Sequence, residues 1–71
     1  MNAEAQSAIS NLINGNLSDA KDTAKDIPTM CIIENAENIG YSNYQALLMT
    51  SYLKGLINYQ QYCHNISNES T

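Results

Sequence analysis

The chain has no Arg, Trp, Phe or Val, and among its 71 residues it has three Lys, three Gly, two Cys and one Pro. Each scarcity removes a class of protein. Lysine is confined to Lys21, Lys25 and Lys54, set against Asp19, Asp22, Asp26, Glu4, Glu34, Glu37 and Glu69, so the formal net charge is -4. A surface of that sign argues against nucleic acid as a ligand, because phosphate binding needs a basic footprint. Cys31 and Cys63 stand at a spacing that matches neither a redox nor a zinc pattern, and two cysteines make no disulfide framework. Both are expected to be reduced core thiols. No apolar run approaches the ~18 to 20 residues of a membrane span. The start, MNAEAQSAIS, has neither the basic region nor the apolar core of an export signal. A cytoplasmic protein without a membrane partner is therefore expected. The sequons at Asn16, Asn65 and Asn68 follow from ten Asn in a short chain and carry no weight.

What is present favours helices. Eight Ile, six Leu, three Met and five Tyr supply the large apolar groups, and Ala is common. Residues 1–71 are expected to form one all-α domain, a compact bundle of four to five short helices with a frayed tail over 67–71. At this size the apolar core is small, and a partner chain is one way to enlarge it.

Apolar residues at Ala5, Ala8, Ile9, Leu12 and Ile13 recur at i, i+3, i+4, i+7 and i+8 and predict an amphipathic helix stopped by Asn14 and Gly15. Asn16 is placed to cap a second helix through its side-chain oxygen, with Leu17, Ala20, Ala24 and Ile27 as its buried stripe and Pro28 ending it. The short 14–16 connection predicts antiparallel packing of the two. A third helix over about 29–39 carries Met30, Ile32, Ile33, Ala36 and Ile39, with Gly40 just past its end. The fourth opens on a capping box, Ser42 and Gln45, with Tyr41 placed to staple onto Ala46, and runs to about Lys54. Its apolar residues cover most of its circumference, which marks it as central or shared with a partner. After Gly55 a fifth helix is expected from Leu56 to about Asn65; the alternative places Gly55 inside one longer helix at a cost of ~1 kcal/mol relative to Ala.

Three resemblances arise along the chain. Ala36, Gly40 and Ala46 in ENAENIGYSNYQALLMTSYLKG match the spacing of a helix-turn-helix, yet the would-be recognition helix offers only Asn43, Gln45 and a distant Lys54 for DNA, with Glu34 and Glu37 beside it. NGNLSDAKDTAKDIP, through Gly15, Ala20, Ala24 and Pro28, resembles the second half of a tetratricopeptide repeat, but no second copy follows at the 34-residue period. The segment over residues 9–25, ISNLINGNLSDAKDTAK, resembles short uncharacterised helical proteins of phages and other bacterial mobile elements. That resemblance implies binding and modulation of a host or rival protein.

Chemistry finds no support. Cys63, His64 and Asn65 are consecutive, so on a helix they point in different directions and form no triad. No metal site or phosphate loop is legible, so neither an enzyme nor a cofactor is expected. Asp19, Asp22 and Asp26 at i, i+3 and i+7 make an acidic strip on the second helix, diluted by Lys21 and Lys25. The tyrosines say more. Five in so small a chain exceed what its core would bury, and Tyr is favoured at interfaces. Tyr44, Tyr52, Leu56, Tyr59 and Tyr62 are the expected partner-binding surface, with Asp19, Asp22 and Asp26 as an acidic ridge. The expected function is a small acidic protein-binding modulator or inhibitor, able to form a homodimer; the alternative is a helix-turn-helix DNA-binding regulator using residues 34–54.

Overall fold

Three glycines set the corners of the chain. A computed structural model, which describes residues 2–69, has five helices: α1 (Ala3–Ile13), α2 (Leu17–Ala24), α3 (Thr29–Ile39), α4 (Asn43–Leu53) and α5 (Tyr59–Glu69). Gly15, Gly40 and Gly55 follow α1, α3 and α4, all at positive φ. Each closes its helix with the same pair of backbone bonds. At Gly40, with φ of 119°, its own N–H donates to Glu37 O at 3.0 Å and the Tyr41 N–H donates to Ala36 O at 3.1 Å. This Schellman geometry needs a left-handed residue, which costs glycine nothing sterically. Gly55 therefore separates α4 from α5.

Helix starts are equally local. Asn2 caps α1, its Oδ1 accepting from the N–H groups of Glu4 at 2.9 Å and Ala5 at 3.0 Å. Ser42 and Gln45 form the expected reciprocal box at α4, at 2.9 and 3.1 Å. A second box, Asn58 with Gln61 at 2.9 and 2.8 Å, starts α5. It corrects the expected start at Leu56. That helix also continues through Glu69, past the expected end near Asn65, and places Ile66 inside it against the core; residues 70 and 71 of the expected tail lie outside the described residues. Asn16 occupies the cap position of α2 but makes no side-chain cap bond; its amide donates instead to Asn11 Oδ1 at 3.4 Å.

The core is built from Ala5, Ala8, Ile9 and Leu12 of α1, Ala20 and Ala24 of α2 with Ile27 just after it, Ile32, Ile33 and Ala36 of α3, and Ala46, Met49, Tyr52 and Leu53 of α4. Its many alanines let α1 lie close against α2 and α3, while α4 packs on α2, α3 and α5. Two expected core residues of α3 are exposed: Met30, which stands ~200° around the helix from buried Ile32, and Ile39, in the last turn beyond the core. In their place the helix buries a polar residue, Asn35. Cys31 and Cys63 are free thiols, as expected, but half-buried rather than enclosed.

Helix α2 is eight residues long, lacks a side-chain N-cap, and ends where Pro28 forbids continuation. The Ala24 carbonyl at its end accepts the Ile27 N–H at 3.1 Å, and a cation from elsewhere in the chain joins it there. The ammonium of Lys54, directly after α4, donates to Ala24 O at 2.7 Å, to Ile27 O, and to Lys25 O at 3.5 Å. A cation at a helix C-terminus also complements the negative end of the dipole. Replacing Lys54 by Met keeps the stem and removes the donors. We expect Lys54→Met to lower stability by about 2 kcal/mol, the range for hydrogen bonds to a charged group, read as a lower urea midpoint with an unchanged slope.

Candidate functional site

The five tyrosines divide by position along the chain. Tyr52, on the inner face of α4, is buried. Tyr59 and Tyr62, in the first turn of α5, close over it with ring centroids 5.5 Å away, edge-on and stacked respectively, and 6.0 Å from each other. Lys21 of α2 lays its ammonium over the Tyr52 ring at 4.7 Å, a cation–π contact. The cluster thus fastens α5 and α2 onto α4. Burial pushes the Tyr62 hydroxyl up to about 12, helped by the nearby Tyr41 and Cys63 groups. A side-chain hydrogen bond that the Tyr59 hydroxyl donates to Cys63, one turn along α5, raises Tyr59 as well.

The structure therefore splits the expected contact surface. Tyr52 is core, not surface, and Tyr62 is half-buried against it. Both are corrected to packing residues, because the first turn of α5 folds back onto α4. Tyr44, Leu56 and Tyr59 are exposed, as a contact surface requires. Leu56 is 77 % exposed even though it follows the Gly55 turn, where an apolar residue usually folds back onto its helix. Tyr41, in the same place after Gly40, does fold back and packs on the core.

Helix α4 itself supplies what the tyrosines alone do not. It buries Ala46, Met49, Thr50 and Leu53 at i, i+3, i+4 and i+7. Its opposite face carries Tyr44, Leu47, Leu48 and Ser51 at the same spacing, with Tyr44 48 % and Leu47 43 % exposed. This face has no formal charge. Leu47 and Leu48 join the candidate site; the signal for them was the apolar content all round the helix, which exceeds what one core can cover.

Asp19 and Asp22 lie exposed on α2, but Asp26 lies in the turn after it, because α2 ends at Ala24. The expected three-residue helical strip is thus a pair followed by a bend. The residues that would read DNA are committed elsewhere: Asn43 Nδ2 donates to Glu37 Oε2 at 3.0 Å, Gln45 closes the α4 box, and Lys54 caps α2. His64 and Cys63 stand at successive positions of α5, and among the described residues no group of three or more His, Cys, Asp or Glu converges to hold a metal. No helix among them is long and apolar enough to cross a membrane. No known protein family, curated protein or solved structure matches the chain.

The tyrosine cluster has a pH signature. Tyr62 ionises at about 12 in the folded chain and at the ordinary 10.0 once unfolded, so between these values the unfolded state has lost a proton that the folded state keeps. Its contribution is complete below pH 10 and is lost as pH rises toward 12. Solvent screening at this half-buried site trims the size of the effect. In chemical denaturation at stepped alkaline pH, Tyr62→Phe is expected to flatten this decline, leaving the share owed to Tyr59.

Proposed function

We propose that the chain works by contact with a partner protein, as a small acidic modulator or inhibitor without chemistry of its own. One observation carries this reading: α4 is apolar on two opposite faces, and the second, with Tyr44 and Leu47 exposed and Leu48 half-buried, faces away from the core. Leu56 and Tyr59 extend the supply of uncharged surface beyond its end. Exposed apolar groups in series mark sites of protein association, and aromatic side chains bring contact area at little entropic cost. The exposed carboxylates of Asp19 and Asp22 favour a partner with a basic rim. The likeness of residues 9–25 to helical proteins of phages and mobile elements supports a target in a bacterial host or a rival element, met in the cytoplasm. A homodimer through α4 is the same reading with a second copy as the partner.

The test is an affinity pull-down from bacterial lysate, with light scattering on the purified chain. Wild type is expected to capture a protein in a manner insensitive to added salt, or to self-associate. Leu47→Glu and Tyr44→Ala are each expected to weaken that association about tenfold or more, as loss of an interface anchor does, with an unchanged helical circular dichroism spectrum. A monomer that retains no protein, or association untouched by both variants, overturns the proposal. Retention of DNA that collapses with salt would replace it with the helix-turn-helix regulator.

A further inference from the structure

Across the Gly55 turn, the outer face of α4 and the packing face of α5 form one pattern. Tyr44, Leu48 and Ser51 stand on the outer side of α4, and Tyr59, Tyr62 and Ile66 on the side of α5 that meets the ring cluster and the core. With Gly55 between them, these positions are four, three, four, four, three and four residues apart, an eleven-residue repeat. Such a repeat, about 3.67 residues per turn, keeps to one side of a nearly straight helix. Two helices joined by a turn need no common phase; a single helix over 43–69 does.

The turn that interrupts this helix is held by local bonds. Gly55, at φ of 80°, donates its N–H to Tyr52 O at 3.0 Å, Leu56 donates to Ser51 O at 2.8 Å, and the Asn58 box then starts α5. Rotation of Gly55 to negative φ, which glycine adopts as readily, exchanges these bonds for continuous helical ones. Lys54 lies before the hinge, so its hold on the end of α2 survives the change. Over residues 59–67 no side chain of α5 is fully buried, and the helix packs chiefly on α4. Its departure uncovers the Tyr52 ring, and the element that refits that ring is another α5.

We infer that two copies of the chain exchange α5: each straightens at Gly55, and the α5 of each seats its tyrosines on Tyr52 of the other. The inference rests on the contact role proposed above and names its partner as a second copy. The two long helices cross antiparallel at their Gly55 positions, where the missing side chains let the backbones approach. A residue after Gly55 then faces the one equally far before it, which sets Tyr62 of the second copy over Leu48 and Ile66 of the second copy over Tyr44. One step remakes the ring cluster and covers the outer face of α4, with no formal charge in the seam. The contact is isologous and closes on itself, as a two-fold dimer requires.

Sedimentation velocity over a concentration series, with isotope-filtered NOE spectra of mixed labelled and unlabelled chain, tests the exchange. Wild type is expected to dimerise as concentration rises, with NOEs between the Tyr52 ring of one copy and the Tyr59 and Tyr62 rings of the other. In Gly55→Ala, alanine resists the left-handed turn and favours the helix, each by roughly fivefold per copy, so the dimer dissociation constant is expected to fall about 100-fold or more. A Gly-Gly pair inserted between Leu56 and Ile57 lengthens the closed turn at little cost but rotates one half of the stripe by ~200° against the other in a straight helix. That variant is expected to stay monomeric with its helical circular dichroism unchanged. Dimerisation no tighter in Gly55→Ala than in wild type, or undiminished by the insertion, overturns the inference. Should Gly55→Ala fail to fold, the insertion and the wild-type NOEs decide. A monomer that captures another protein through α4, or a dimer whose ring contacts stay within each copy, overturns the exchange and leaves the contact role standing; loss of both self-association and capture overturns both.

Discussion

The fold is closed by one ammonium group. Lys54 sits directly after α4 and reaches the Ala24 carbonyl at the end of α2 and the Ile27 carbonyl just past it, joining segments 27 to 30 residues apart in the chain. Without it, α2 is an eight-residue helix with no side-chain cap at its start and a proline past its end. Isolated helices of that length do not hold together in water. The alanine face of α2 can pack closely on α1 only while the helix exists, and the core of α1 depends in turn on that packing. Lys21, lying over the Tyr52 ring, ties the same helix to α4 from its outward side. Two of the three lysines are therefore spent on architecture, which is the structural counterpart of the chain's poor cation supply.

A bundle assembled this way leaves α4 doubly apolar. One face inserts Ala46, Met49 and Leu53 between the neighbouring helices, and the other has no helix to cover it because α5 docks through its tyrosines at the far end of α4. Had α5 begun at Leu56, its first turn would have lain closer to the end of α4. The Asn58 box delays the start, leaves Leu56 outside, and brings Tyr59 and Tyr62 over Tyr52. The exposed surface and the buried ring cluster are thus two products of the same three-residue offset.

What was legible in the sequence was local. The α4 capping box, the three glycine ends and the apolar period of α1 are each written within a few neighbouring residues, and the structure reproduces them except at Ile13, which ends α1 exposed beyond the core. The Asn58–Gln61 box obeys the same grammar but was hidden by Leu56, whose apolar character pulled the expected helix start three residues early. Asn35 was hidden because a polar letter inside an apolar period reads as solvent-facing, although Cys31, Glu34, Asn35 and Asn38 fall at helical spacing. Lys54 and the partition of the tyrosines were beyond reach for a different reason: both depend on contacts between helices distant in sequence, where no short pattern encodes the partner. Of the expected contact residues, Tyr44, Leu56 and Tyr59 are at the surface, while Tyr52 and Tyr62 serve packing.

The ring cluster has an optical consequence. In a chain with no indole to collect the excitation, phenol rings 5.5 to 6.0 Å apart pass absorbed light among themselves before emitting, and each transfer between tilted rings scrambles its polarisation. Transfer between Tyr52 and the two rings of α5 requires that helix to be docked, so the depolarisation this transfer causes is tied to the seating of α5 on α4.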